Sequence, residues 1–247
     1  MSEPRALPAG AHARCHFFPC ADAAQWAREA ADAIAAGLRT DLARHGRALL
    51  LVSGGSTPAP VFAELAATAL PWAQIDIGLV DERVTDDAAG RNDALVRRTL
   101  LTGPAQAARF SPLLPAGNLD AVAAARTADA RLGGSGLAPS VAVLGMGDDG
   151  HTASLFPGSR DLAAVRADAH AYATLDASGC AVAGPYTQRI TLTPAGLARA
   201  QARVLLLRGQ DKLAVFERAL VVSDPAQMPI SLVFDLPGAP LQVHWCP

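Results

Sequence analysis

Arg47-Ala-Leu-Leu-Leu-Val-Ser-Gly-Gly-Ser-Thr-Pro58 decides the fold. From Arg47 to Ser53 the chain is a continuous apolar run of strand length, without the alternation of a strand wetted on one face. Strands buried on both faces read this way, and they belong to parallel sheets covered by helices. Gly54-Gly-Ser then turns the chain, and Thr57 before Pro58 reads as an N-cap with proline in the first helical position, opening a helix to about Leu70.

The same alternation extends outward in both directions. Upstream, His16–Pro19 is a short strand, and Asp22–His45 is a helix with Ala23, Trp26, Ala30, Ile34 and Leu38 at spacings of three and four, ended by Gly46. Downstream, Ile75–Val80 is a strand that ends in Asp81-Glu-Arg83. A polar loop covers 84–92, and a helix runs from Asp93 to Leu101. Asn118 caps an alanine-rich helix to Leu132, and Gly133-Gly-Ser-Gly136 leads into the strand Val141–Leu144. Strands near Ala171–Leu175, Arg189–Leu192 and Arg203–Leu207 and a helix over Asp211–Leu220 follow. The apolar runs Ile230–Phe234 and Leu241–Trp245 close the chain. The expected fold is α/β: a Rossmann-like, mostly parallel sheet with helices on both faces and a small β-rich lobe near 170–195, in one domain over 1–247.

Composition narrows the function classes. A formal charge of −2 over 247 residues leaves no basic footprint for nucleic acid or an anionic membrane. No apolar stretch approaches the roughly 18–20 residues that span a bilayer, and the first ten residues show no secretory h-region. Cys15, Cys20, Cys180 and Cys246 lack zinc spacing, so buried or free thiols in a reducing cytoplasm are expected. His244 and Cys246 could share one side of a strand, but two ligands do not make a metal site.

Chemistry concentrates in Gly145-Met-Gly-Asp-Asp-Gly-His151. Its Gly-x-Gly-x-x-Gly formally suggests a dinucleotide loop. However, it falls past mid-chain, Asp148 and Asp149 stand where a pyrophosphate needs positive potential, and Pro157 follows too soon for a long helix. What remains is His151 beside two carboxylates on a glycine-shaped turn at a strand end. A solvated histidine in a capped loop is the bland alternative, but the glycine density favours general acid–base work. In Ser53-Gly54-Gly55-Ser56-Thr57, backbone N–H groups, hydroxyls and a helix start could cradle a phosphate; an ordinary βα turn would look similar. The loop lacks the Lys of a Walker A motif. Asp81-Glu82-Arg83 belongs to the ligand crevice if it lies at a strand C-terminus, and to the surface otherwise. Arg189 and Lys212 are candidate anion partners, although single cations are more often solvated.

Together Ser53–Pro58, Asp81–Arg83, Gly145–Pro157, Arg189-Ile-Thr-Leu-Thr-Pro194 and Gly209-Gln-Asp-Lys212 resemble the 6-phosphogluconolactonases, in family order and over roughly residues 15 to 245. The resemblance implies a Rossmann-like fold, no metal and no organic cofactor. It also implies hydrolysis of 6-phospho-D-glucono-1,5-lactone to 6-phosphogluconate, the second step of the oxidative pentose phosphate pathway. The implied partner is the phosphosugar lactone, with no nucleic acid or membrane, and the protein is expected as a monomer or homodimer. In this reading Ser53–Thr57, Arg189 and Lys212 hold the phosphate. His151 is the base, oriented by Asp149 or Asp81, and Arg83 serves the oxyanion or the phosphate. One departure follows the acidic triplet. Where the family usually has Ser-Asn, this chain has Gly90-Arg-Asn92, so Asn92 matches as a binding residue and the serine does not.

The glucosamine-6-phosphate deaminases resemble this pattern too. Their motif places a glutamate where Phe156 stands, and an apolar ring cannot move protons. Sugar-phosphate sensor domains are the non-catalytic alternative, but residues 1–20 are expected to leave no room for a DNA-binding helix-turn-helix.

Overall fold

A computed structural model of the chain describes residues 15–115, 117, 119–222 and 224–247. Its strands are β1 (Cys15–Pro19), β2 (Ala48–Val52), β3 (Ile75–Leu79), β4 (Asp81–Arg83), β5 (Arg109–Phe110), β6 (Val141–Leu144), β7 (Tyr172–Asp176), β8 (Gln188–Leu192), β9 (Ala202–Arg208) and β10 (Leu241–Cys246). Its α-helices are α1 (Ala23–His45), α2 (Ala59–Ala67), α3 (Asn92–Thr99), α4 (Ala121–Gly134), α5 (Leu162–Ala167), α6 (Pro194–Ala198) and α7 (Gln210–Val222).

Seven strands form one sheet in the order β1-β10-β9-β6-β2-β3-β5, and every pairing in it is parallel. The apolar runs seen in the sequence are its interior: β6 is buried along its whole length, as is β2 apart from Leu49. From β2 the chain builds outward through β3 to β5, then returns to the other side of β2 and builds through β6, β9 and β10. The order therefore reverses between β2 and β6, and a ligand crevice opens at the carboxyl ends of strands flanking such a reversal. Ser53 and Gly145 follow those two strands directly.

Helix α1 shows how sequence, cap and core agree. Asp22 Oδ1 accepts from Gln25 N at 2.8 Å, and the chain leaves the helix at Gly46, whose N–H donates to Leu42 O. Trp26, Ala30, Ile34 and Leu38 form the buried stripe against the sheet. Each large apolar side chain buried there contributes roughly 1.5–3 kcal/mol.

The β-rich lobe exists as a second, antiparallel sheet, β4-β8-β7. It recruits Asp81–Arg83, which the sequence placed at the end of the third strand. Instead β3 stops at Leu79, and Val80 carries the chain from one sheet to the other. Val80 N donates to Val52 O at 2.9 Å in the large sheet, and Val80 O accepts from Leu192 N at 2.8 Å in the small one.

Other corrections are local. Helix α2 begins at Ala59 with Pro58, not Thr57, in the cap position, and it ends before Leu70. Helix α4 is capped by Asp120, whose Oδ1 accepts from Ala123 N at 2.9 Å, and it runs on through Gly133 and Gly134. Asn118, expected as that cap, lies outside the described residues. The strand β5 and the helices α5 and α6 were not expected from the sequence. No described helix is long and apolar enough to cross a membrane.

Candidate active site

The loop after β6 is shaped around one side chain. Gly147 N donates to His151 O at 2.8 Å, and Thr152 Oγ1 donates to Gly145 O at 2.9 Å, which folds residues 145–152 back on themselves. A Cβ on Gly147 would overlap the His151 ring, so the glycine is there for close approach. His151 Nδ1 lies 2.6 Å from Asp149 Oδ1, and the same oxygen accepts from His151 N at 3.1 Å. Burial works to raise the Asp149 carboxyl, but the hydrogen bonds and charge of His151 outweigh it and hold the group below the ordinary carboxylate range. An ionised carboxylate at Nδ1 keeps a proton on that nitrogen and leaves Nε2 as the basic one. The His151 side chain keeps 23 % of its surface exposed, enough to meet a ligand.

Of the two carboxylates expected to orient His151, Asp149 is the one in contact with its ring. Asp81 is engaged elsewhere: its Oδ2 accepts from Ser154 Oγ at 2.6 Å. The amide Nδ2 of Asn92 reaches both Asp81 O at 2.9 Å and Asp81 Oδ1 at 3.3 Å. Asp81, Asn92 and Ser154 are all buried. Ser154 is held in turn by Thr191, whose Oγ1 accepts from Ser154 N at 3.1 Å. Ser154 was not singled out from the sequence, because a serine among small apolar residues carries no signal of its own.

The phosphate-loop candidates follow β2, on the other side of the sheet reversal from the histidine loop after β6. Ser53 is buried with its hydroxyl unpartnered, 3.9 Å from where a Cβ on Gly145 would stand. A Cβ on Gly54 would overlap the Asn92 amide, so this loop and Asp81 meet through Asn92. Gly55 and Ser56 are exposed and Thr57 half-buried, with no side-chain hydrogen bond made by Ser56 or Thr57 to the described protein.

The cations enter from two directions. Arg83 and Arg189 are register partners on β4 and β8. Arg189 is buried, donates from Nε to Tyr186 O and from a terminal nitrogen to Ala183 O, both at 2.7 Å, and lies over the Phe156 ring at 5.2 Å. Burial, reinforced by Arg83, lowers its pKa against the pull of Asp81 and Glu82. Arg83 donates to Gly90 O at 2.7 Å, while its Nε is buried without a partner. Lys212, from α7, donates to Met146 O at 2.8 Å and pairs with Asp148 Oδ1 at 2.7 Å, so it braces the histidine loop. Phe156 is packed between His151, with ring centroids 4.4 Å apart, and Arg189.

Glu82 is the most deeply buried carboxylate of this region. Burial pushes it up to about 7, against three backbone N–H groups that donate to it. Among the described residues no cluster of three or more His, Cys, Asp or Glu is placed to hold a metal ion, and all four cysteines are free thiols.

Comparison with known proteins places this geometry. Residues 21–245 match the family described as glucosamine-6-phosphate isomerases/6-phosphogluconolactonase. A 6-phosphogluconolactonase of Xylella fastidiosa is 47% identical over 228 residues, covering 91% of this chain and 93% of that protein. One from Pseudomonas aeruginosa is 43% identical, covering 91% and 92%. The crystal structure of a 6-phosphogluconolactonase from Shewanella baltica superposes with a TM-score of 0.86 at 33% identity, covering 94% of this chain and 97% of that one.

Proposed function

The chain belongs to the family of glucosamine-6-phosphate isomerases and 6-phosphogluconolactonases, and on that premise we propose that it is a lactone hydrolase whose working base is His151. It hydrolyses 6-phospho-D-glucono-1,5-lactone to 6-phosphogluconate in the oxidative pentose phosphate pathway. The observation that carries the catalytic assignment is the 2.6 Å contact between His151 Nδ1 and Asp149 Oδ1. It favours the tautomer with the proton on Nδ1 and leaves Nε2 as the nitrogen that can act as the base.

The substrate is a dianionic phosphate on one end and an electrophilic carbonyl on the other. The Ser53–Thr57 loop, with its spare hydroxyls and the start of α2, holds the phosphate together with Arg189 and Lys212. Arg83 and Arg189, register partners on β4 and β8, act on each other as like charges that Asp81 and Glu82 offset in part, and an anionic ligand beside them would relieve the rest. With the phosphate anchored, the lactone carbonyl is oriented toward His151. Nε2 takes a proton from water as the water oxygen bonds to the carbonyl carbon. The tetrahedral intermediate then breaks its bond to the ring oxygen, which takes the proton back from Nε2. The products are an open chain hydroxyl and a carboxylic acid that ionises in water. Arg83 stabilises the intermediate oxyanion, and Asp81, held by Ser154 and Asn92, completes the polar wall.

Phe156 supports hydrolysis over amino-sugar-phosphate isomerisation, since no proton-transfer group stands at that position. Four free thiols fit a reducing cytoplasm. The test is a coupled assay with freshly generated 6-phosphogluconolactone, run beside glucosamine 6-phosphate. Accelerated formation of 6-phosphogluconate is expected; ammonia release without it would reverse the assignment.

A further inference from the structure

Glu82 has no part in the mechanism above, yet its carboxylate is fully buried one residue from Asp81. Its Oε1 accepts from Arg83 N at 2.8 Å and Asn92 N at 2.7 Å, and its Oε2 accepts from Asp93 N at 2.9 Å. Asn92 and Asp93 are the first two residues of α3. A helix leaves its first N–H groups without partners, and a cap side chain normally accepts from them. Here the cap position holds Arg91, which has extended backbone and makes no side-chain cap bond. Arg91 instead lies against Glu82, Nε to Oε2 at 3.9 Å, and bonds to Asp93 and Leu114 O. Glu82 thus supplies, from a neighbouring strand, acceptors for the first two N–H groups of α3; a serine at position 91 would serve only the second of them, Asp93 N.

What this cap holds in place is Asn92. The Asn92 amide spans from the Gly54 backbone, which has no room for a Cβ, to the carbonyl and carboxylate of Asp81. The Gly54 loop and the strand that carries Asp81 are therefore both referenced to the first residue of α3. Burying a carboxylate is costly unless its oxygens are fully engaged, and a plain helix cap needs no such group. We propose that Glu82 is a positioning residue for the hydrolysis, fixing Asn92 between the Gly54 loop and Asp81 by capping α3 from β4. The inference rests on the lactonase reading.

Glu82→Gln keeps the shape but turns an NH₂ toward at least one backbone N–H. In the folded variant kcat is expected to fall on the order of tenfold and KM to rise with it, because Asn92 seats both Asp81 and the Gly54 loop of the phosphate grip. Amide exchange at Asn92 and Asp93 should quicken. Adding Arg91→Ser, which gives Asp93 N a local acceptor and so re-seats the start of α3, should recover part of the lost kcat. Adding Glu82→Gln to Asn92→Ala should cost nothing further, since both act through one link. Additive losses, wild-type turnover in Glu82→Gln, or a loss that the serine does not recover while both amides stay protected would overturn the proposal. If Glu82→Gln does not fold, Glu82→Asp takes its place in the same cycle. A wild-type protein that does not hydrolyse the lactone removes the underlying reading; additivity in an active wild type removes this inference alone.

Discussion

At the residue scale the proposed chemistry rests on the contact between His151 and Asp149. His151→Ala should lower kcat by about 10²–10⁴-fold, the range a positioned acid–base group supplies, with KM little changed; steady-state kinetics on the lactone check it. A histidine outside the candidate site is perturbed by its burial. His244 in β10 stacks on Phe18 at 4.8 Å, and both its ring nitrogens are buried without partners. Burial pushes its pKa from 6.5 down to about 4. The unfolded chain therefore takes up this proton first as pH falls. Stability from this site is full above about 6.5 and is lost progressively toward 4. Unfolding titrations at pH 7 and 4.5 should show wild type losing on the order of 2 kcal/mol more than His244→Phe.

At the element scale, the contact of the Gly54 loop with α3 makes a glycine substitution informative. Gly54→Ala forces the Asn92 amide off Asp81 and should reduce kcat several-fold while circular dichroism stays native; unchanged turnover would show that Asn92 can yield without cost. The sequence disclosed those elements whose signal is local. The strand β2, with its unbroken apolar run, and α1, with Asp22, its periodic stripe and Gly46, are readable because each residue's role depends on near neighbours. The strand β5 is two residues long and exists only because β3 offers an edge. Asp81–Arg83 changes sheets because its partner is Arg189–Thr191, over a hundred positions away. Thr57 misled because its proline neighbour suits the cap position as well as the first turn. The site followed the same division. His151, Asp149 and the glycines stood out together, whereas the service of Asp81 by Ser154 and Asn92 is a meeting of distant segments.

At the scale of the whole molecule, the sheet's far side is tied by a buried cation. Arg203 in β9 donates to the carbonyls of Leu197, Ala200, Leu236, Pro237 and Ala239. Arg203→Met would strand several buried acceptors and should cost roughly 2–4 kcal/mol in urea unfolding, with kcat of the folded fraction preserved because the crevice lies elsewhere. The junction at Val80 matters in another way. Its N–H is committed to the large sheet and its carbonyl to the small one, so no residue between β3 and β4 is free to swivel. Domain-closing enzymes depend on a few positions whose dihedrals absorb the motion. This molecule has been denied one at the place where its two sheets join. At this crossing the small sheet stands as a fixed wall rather than as a jaw, and no closing motion is expected to turn about Val80.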